Sequence, residues 1–179
     1  MRIRAAVLEH TGGPIALEEL ELEPPRAGEA LVRLHASGVC HSDENAIDGT
    51  SPTRCPAVLG HEGAGVVEAV GPGVTRVRPG DHVALSWAPA CGTCAECVRD
   101  LPQLCAAAWP AMGSGGLLDG TTRLTRAGAP VFSCPEPVAT TRSAMKVSSV
   151  SPERWLMTAV QPARWAVSTA SSVSVSVPI

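Results

Sequence analysis

Four closely spaced cysteines carry the strongest chemical signal in this sequence. Cys91, Cys94, Cys97 and Cys105 follow the pattern C-x2-C-x2-C-x7-C. Thiolates at this spacing can enclose a Zn²⁺ ion tetrahedrally, and a full set of four leaves no position for water. The pattern therefore predicts a structural zinc site rather than a catalytic one. An iron–sulfur cluster and a set of free buried cysteines are the alternatives.

A second group of potential ligands lies upstream. It comprises Cys40, Ser42 and Asp43, then His61 and Glu62. A thiolate, an imidazole and a carboxylate form the mixed ligand set of an open, catalytic zinc. We expect Asp43 to orient His61 through the ring nitrogen that faces away from the metal, and Ser42 to pass on a substrate proton. Because Cys40 and His61 are far apart in sequence, an ordinary buried cysteine and a core histidine are the alternative.

Short strands must position these side chains. Runs rich in β-branched and apolar residues predict strands over residues 3–8, 30–36, 64–70 and 81–87, separated by turns rich in Gly and Pro. Strands at this spacing indicate a mainly β fold, a compact barrel or sandwich. The best helical signal covers residues 41–47, next to the second group of ligands.

Composition limits the classes of protein to be considered. A chain of 179 residues with 45% apolar and 17% charged residues has the composition of a folded protein. No apolar run reaches the length needed to cross a membrane. With a net charge of −3 and no basic block, neither nucleic acid nor a membrane surface is an expected partner. Seven cysteines without an export signal indicate metal ligation or catalysis, and hence a cytoplasmic location.

Several motifs in order carry a family resemblance. Residues 38–43 (GVCHSD), 60–67 (GHEGAGVV), 71–74 (GPGV) and 80–83 (GDHV) precede the four cysteines. Together they resemble the zinc-dependent medium-chain alcohol dehydrogenases over about residues 1–125. The resemblance implies that family's GroES-like catalytic domain, a partly open β-barrel with a zinc-binding lobe.

The resemblance also implies roles for the second group of ligands. Cys40 and His61 match ligands of the catalytic zinc, and Glu62 matches a carboxylate that can swing in to the metal. Asp43 matches the partner that orients the histidine. Ser42 matches the hydroxyl that begins the proton relay.

Other positions either match the family or depart from it. By resemblance, His41 contacts the cofactor pyrophosphate and Trp87 lines the alcohol pocket, although plain core packing is an equal alternative for Trp87. Asn45 stands where the family often has a relay histidine, and an amide does not titrate near neutral pH. The family's third catalytic thiolate has no match, because the surroundings of Cys134 are different.

The family binds NAD(P) on a Rossmann domain, whose glycine motif follows a strand. No such motif occurs here, and we interpret the glycine cluster of residues 113–116 as a flexible loop, so NAD(P) binding by this chain is not expected.

We therefore predict a catalytic domain over residues 1–137, with its zinc lobe at about 88–108, and an atypical tail over residues 138–179. No glycine follows Gly128. Residues 171–177 alternate Ser and Val like a strand, but the sequence offers them no clear partner. We expect the tail to be poorly ordered or loosely packed, as a disordered segment or a frame-shifted replacement of the cofactor domain.

Three functions compete. The first is the zinc-binding domain of an NAD(P)-dependent alcohol dehydrogenase acting on a small alcohol or aldehyde, incomplete and weak or inactive alone because hydride transfer needs a cofactor at contact distance. The second is a non-catalytic zinc-binding module that self-associates through an uncovered apolar face. The third is a zinc-free barrel like those of quinone reductases, which would have no use for the four cysteines.

Overall fold

The computed structural model describes residues 1–133, 145–146 and 173–178. The strands are β1 (Arg2–Leu8), β2 (Ile15–Leu22), β3 (Glu29–Ser37), β4 (Ala57–Val58), β5 (Gly63–Val70), β6 (His82–Ala84), β7 (Leu124–Arg126), β8 (Ala129–Ser133), β9 (Met145–Lys146) and β10 (Val173–Pro178). The helices are α1 (His41–Asp48), α2 (Ala95–Val98) and α3 (Ala108–Ser114), with a 3-10 turn at Pro102–Leu104.

Five strands close into a barrel in the order β1-β2-β7-β8-β4. All the pairs are antiparallel except β4 with β8. In β1 every second residue, Ile3, Ala5 and Val7, is buried, as expected for a strand with one face towards a core. They pack with Leu20 and Leu22 of β2.

The second sheet has the order β10-β3-β5-β6-β9 and its own core. Ala30 and Val32 of β3 pack there against Val67 and Val83. The β3–β5 pair needs a glycine, because a Cβ at Gly65 would lie 2.1 Å from the carbonyl oxygen of Arg33. The α1 helix follows β3 directly, so the chain leaves this sheet at the second group of ligands.

A buried ion network ties the sheet to the barrel. The Arg123 guanidinium, just before β7, donates to both carboxylate oxygens of Glu29 on β3, with Nε at 3.0 and 3.1 Å. It also donates to Asp119 at 2.7 Å. The Arg123 and Glu29 side chains are 4% and 6% exposed, so each charge depends on the other for compensation.

The predicted mainly β fold with a barrel is confirmed, and three predicted strands and α1 match within one residue at each end. The strand predicted over residues 81–87 is shorter, His82–Ala84. Among the described residues, no helix has the length and apolar character needed to cross a bilayer.

Two expectations are wrong. Gly113 and Ser114 lie in α3, which ends at Gly115 in a left-handed conformation with φ of 67°, so residues 113–116 are a helix terminus rather than a loop. Residues 173–178 have a partner, because they pair antiparallel with β3. The rest of the tail, for which we predicted poor order, lies outside the described ranges, and so does Cys134.

Candidate functional site

The start of α1 fixes Cys40. The cysteine precedes the helix with an extended backbone, and its N–H donates to Asp43 Oδ2 at 2.9 Å. This contact is the backward half of a capping box, which satisfies a backbone donor at the helix start. It therefore couples the position of Cys40 to that of Asp43.

The same aspartate holds His61. Asp43 Oδ1 lies 3.6 Å from His61 Nδ1 and accepts from Gly60 N at 3.1 Å. Burial raises the pKa of the Asp43 carboxyl, but the nearby His61 imidazole and hydrogen bonds from the N–H groups of Cys40 and Gly60 outweigh it, so the net pKa is lowered. A buried carboxylate behind the imidazole directs its other nitrogen, Nε2, towards Cys40 and Ser42.

Ser42 faces that second nitrogen, with its Oγ 3.3 Å from His61 Nε2. Hydrogen bonds from the side chain and backbone of Ser42 lower the pKa of the Cys40 thiol, and His61 lowers it further against a small burial penalty. A lowered pKa favours the thiolate, the form of cysteine that binds a metal.

The Glu62 carboxylate lies in this cluster because Gly38 has no side chain to obstruct it. A Cβ at Gly38 would lie 2.0 Å from Glu62 Oε2, so only glycine leaves room for the carboxylate in this position. One ligand atom each from Cys40, His61 and Glu62 lies within 4.8 Å of the others. Zinc–ligand bonds are about 2.0–2.3 Å long, so small side-chain movements would close the three atoms on one ion. A fourth position would remain for a substrate or water.

The four-cysteine lobe wraps around a second cluster. The sulfur atoms of Cys91, Cys94, Cys97 and Cys105 lie within 4.8 Å of one another. The α2 helix begins after Cys94 and contains Cys97, while Cys105 directly follows the 3-10 turn.

Backbone N–H groups point at the sulfurs of the lobe. Cys91 N donates to Cys105 Sγ at 3.2 Å, and the N–H groups of Thr93 and Cys94 donate to Cys91 Sγ at 3.5 and 3.4 Å. These donors are the environment of a thiolate, and they fit a closed four-sulfur zinc site.

The lobe thiols do not ionise alike. The N–H and hydroxyl of Thr93 and the N–H of Cys94 lower the pKa of Cys91 to about 6. Burial raises the pKa of Cys97 to about 12, and the neighbouring Cys94 and Cys105 add to the rise against one hydrogen bond from Gly92. Four thiolates at this spacing repel one another, so a cation is needed to hold all of them ionised.

The other predicted site residues, His41 and Trp87, are exposed, whereas Asn45 is partly buried. The His41 side chain is 79% exposed and lies 3.4 Å from Glu44. Trp87, in the loop after β6, is 46% exposed, so complete core packing does not describe it. Asn45 accepts from Ser51 N through its backbone carbonyl at 2.9 Å.

Sequence reasoning missed the roles of two residues that shape the ligand clusters. Gly38 makes room for Glu62, and its place two residues before Cys40 was the only available signal. Thr93 donates to Cys91 through both its N–H and its hydroxyl, the latter at 3.6 Å. A threonine inside a C-x2-C segment is the corresponding signal, since its hydroxyl lies within reach of the first sulfur.

Comparison with known proteins gives a consistent result. A family model described as the alcohol dehydrogenase GroES-like domain matches residues 26–133. The chain is 50% identical over 132 residues to the NDMA-dependent alcohol dehydrogenase of Amycolatopsis methanolica, which covers 72% of this chain and 34% of that protein. It is 46% identical over 134 residues to the S-(hydroxymethyl)glutathione dehydrogenase of Paracoccus denitrificans, covering 74% and 36%. The chain thus spans about a third of the length of these relatives.

Solved structures agree. An alcohol dehydrogenase zinc-binding domain protein from Burkholderia ambifaria superposes with a TM-score of 0.69 at 42% identity, covering 74% of this chain and 36% of that one. The benzyl alcohol dehydrogenase of Acinetobacter calcoaceticus superposes with a TM-score of 0.66 at 37% identity, covering 73% and 35%.

Proposed function

The chain belongs to the zinc-dependent alcohol dehydrogenases through its GroES-like domain, and we propose that it is the zinc-binding catalytic part of such an oxidoreductase. The observation that carries the proposal is the convergence of Cys40, His61 and Glu62 in a chain that also brings the four lobe cysteines together. The three ligands of this cluster leave one position of a tetrahedral zinc open, whereas the four thiolates of the lobe fill all of its positions.

The proposed reaction oxidises a small alcohol to an aldehyde or ketone. The carbon-bound hydrogen leaves as hydride to the nicotinamide ring of NAD(P)⁺, and the hydroxyl proton leaves to the protein. A zinc ion bound by Cys40, His61 and Glu62 would supply Lewis-acid polarisation of the alcohol oxygen.

The chain's own residues then have distinct tasks. Ser42, whose hydroxyl lies beside His61 Nε2, begins the proton relay by accepting the alcohol proton as its own hydroxyl proton passes on to water. Asp43 holds the His61 ring in orientation from behind. We assign contact with the cofactor pyrophosphate to His41 and one wall of the alcohol pocket to Trp87, since both are accessible.

We also propose the division of the chain into a catalytic domain over residues 1–137, with the lobe at about 88–108, and an atypical tail over residues 138–179. The family match ends at residue 133, which supports the division. Because hydride transfer needs a cofactor held at contact distance, we expect residues 1–179 alone to turn over alcohol weakly or not at all. A cytoplasmic location stays a prediction.

A non-catalytic zinc module is the second candidate, and the surface of the lobe favours it. Val98, Leu104 and Trp109 are large apolar side chains that are 74%, 59% and 72% exposed. Apolar side chains exposed on one small lobe are a feature of association surfaces. In this case the chain would bind zinc and self-associate through the lobe.

Cobalt substitution separates the two candidates. Co²⁺ in thiolate sites absorbs visible light, and its spectrum changes when a ligand enters an open position. We expect imidazole or benzyl alcohol to change the spectrum of the cobalt-loaded chain. The change should persist in Cys94→Ser, which alters the closed lobe, and disappear in Cys40→Ser. A spectrum that no added ligand perturbs would contradict a catalytic site and support the zinc module.

A turnover assay complements the spectra. With zinc loaded and NAD⁺ or NADP⁺ present, any reduction of the nicotinamide by benzyl alcohol should vanish in Cys40→Ser. Activity that survives this substitution would contradict the proposed site.

A further inference from the structure

The turn between β1 and β2, residues 9–14, contacts the end of the helix whose start carries Cys40. The N–H of Gly12 donates to the carbonyl of Ile47, in the last turn of α1, at 2.6 Å. The last four carbonyls of a helix have no partner inside it, so this contact satisfies one of them from another element. The β1–β2 turn therefore fixes the C-terminal end of α1 against the barrel.

Thr11 and Gly49 approach each other closely at the same end of the helix. Gly49 directly follows α1 in a left-handed conformation with φ of 88°. A Cβ at Gly49 would lie 2.6 Å from the Thr11 Cγ2 methyl. Carbon atoms in contact lie about 3.5–4.0 Å apart, so a side chain at Gly49 would push the helix end and the turn apart by about 1 Å. This close approach therefore depends on glycine.

β1 and its turn also contact the segment that leads to His61. Burial raises the pKa of Cys55, and hydrogen bonds from the hydroxyl and N–H of Thr11 oppose the rise. β4 begins shortly after Cys55, pairs antiparallel with the end of β1, and is followed by His61. The turn thus contacts both parts of the chain that supply the ligand cluster, α1 on one side and the segment before β4 on the other.

The geometry of the cluster is sensitive to the position of α1. Cys40 and Asp43 lie at the start of this helix, whereas His61 and Glu62 follow β4. A helix rises about 1.5 Å per residue, so the contact at Ile47 is only about 10 Å from Cys40 along the axis. Metal ligands must be held within about 0.5 Å of their working positions. A shift of about 1 Å at the far end of so short a helix therefore reaches the cluster.

We propose that Thr11 and Gly49 are positioning residues for the candidate catalytic zinc site. Through their contact, the β1–β2 turn sets the place of α1 and with it the separation of Cys40 and His61. The inference rests on the proposed function, because it requires a zinc ion bound by Cys40 and His61. Thr11 and Gly49 act on that ion through α1.

Two left-handed glycines give a matched test in the full chain. Gly49→Ala places a methyl against Thr11, whereas Gly80→Ala introduces the same backbone strain, at φ of 92°, with nothing within 4 Å of its Cβ. Competition with a fluorescent zinc chelator measures the affinity of the Cys40 cluster. We expect it to fall about tenfold or more in Gly49→Ala and to stay within about twofold of the wild type in Gly80→Ala. Equal affinities in the two variants would overturn the proposal.

Removal of the Thr11 methyl separates the contact from strain at the helix end. Thr11→Ser keeps the hydroxyl but lacks Cγ2, the atom nearest to a Cβ at Gly49. Combined with Gly49→Ala, it should return the zinc affinity to within about threefold of the wild type. The double variant also serves if Gly49→Ala alone fails to fold, because it lacks the clash.

The remaining outcomes are distinct. Zinc retained at the lobe and an unchanged circular dichroism spectrum show that a variant is folded. A folded double variant whose affinity stays about tenfold low would contradict the positioning role, because strain rather than contact would explain the loss. A wild type that binds no zinc at Cys40 would overturn this inference together with the proposed function.

Discussion

Gly38 decides how closely the Glu62 carboxylate approaches Cys40 and His61. Its own N–H donates to the Glu62 carbonyl at 2.8 Å, so backbone and side chain of Glu62 both depend on this position. A methyl group there would meet Glu62 Oε2 at 2.0 Å and Glu62 Cβ at 3.1 Å. If Glu62 is a ligand of the proposed catalytic zinc, the glycine would act on that site through Glu62 rather than by contact with the ion.

We predict that Gly38→Ala weakens zinc binding at the Cys40 cluster by about tenfold or more, because the displaced carboxylate no longer completes the ligand set. Competition with a fluorescent zinc chelator measures the affinity. Gly113→Ala is the matched control, since nothing lies within 4 Å of a Cβ there. Equal zinc affinity in Gly38→Ala and Gly113→Ala would show that Glu62 is not a ligand.

Asp43→Asn provides a second prediction at this scale. The amide keeps the size of the side chain but not the negative charge that holds His61 Nδ1, so zinc affinity at Cys40 and His61 should fall about 10–100-fold. Zinc at the lobe should be unaffected. Loss of both ions together would indicate unfolding, which circular dichroism would reveal, and unchanged affinity would contradict the orienting role of Asp43.

At the scale of elements, the network of Glu29, Asp119 and Arg123 joins β3 to the entry of β7. Burial raises the pKa of Asp119, but hydrogen bonds from Arg123 and Thr121 dominate and lower it to about 2. A carboxyl whose folded pKa lies below the unfolded value of about 3.9 contributes stability that is present above the unfolded pKa and lost as pH falls through the folded one.

We therefore predict that the wild type and Asp119→Asn differ in free energy of unfolding at pH 6, and that the difference shrinks between about pH 4 and pH 2. Denaturant titrations across this range measure it. Asp100→Asn removes the same charge from an exposed turn and should show no comparable trend. A difference that stays constant down to pH 2 would contradict the assignment.

The elements also show how far sequence reasoning reaches. Runs of β-branched and apolar residues were enough to predict β1, β3 and β5, and cysteine spacing was enough to predict the lobe cluster, whereas the grouping of Cys40, His61 and Glu62 rested on their ligand types and on the family resemblance. β2 escaped prediction because its sequence, IALEELEL, combines an alternating pattern with residues that favour helices. The partner of β10 was not predictable, because pairing with a strand so distant in sequence depends on the tertiary fold.

At the scale of the whole molecule, half of the large apolar side chains that are exposed among the described residues lie on the lobe or directly after it, at Val98, Leu101, Leu104 and Trp109. The barrel shows charged residues outward, as at Arg2 with Glu19 and Arg126 with Glu9 and Glu18. If the lobe mediates self-association, Trp109→Ser combined with Val98→Ser should lower the apparent mass in sedimentation velocity at high protein concentration. An unchanged mass distribution would contradict association through the lobe.

The central claim is that one GroES-like domain carries two zinc sites, one open and one closed. Native mass spectrometry of protein purified without chelator tests it most directly. We predict two zinc ions per chain, one ion in Cys40→Ser and one ion in Cys94→Ser. A wild type that carries a single zinc, lost only in Cys94→Ser, would contradict the open site, and a wild type with no zinc would contradict both.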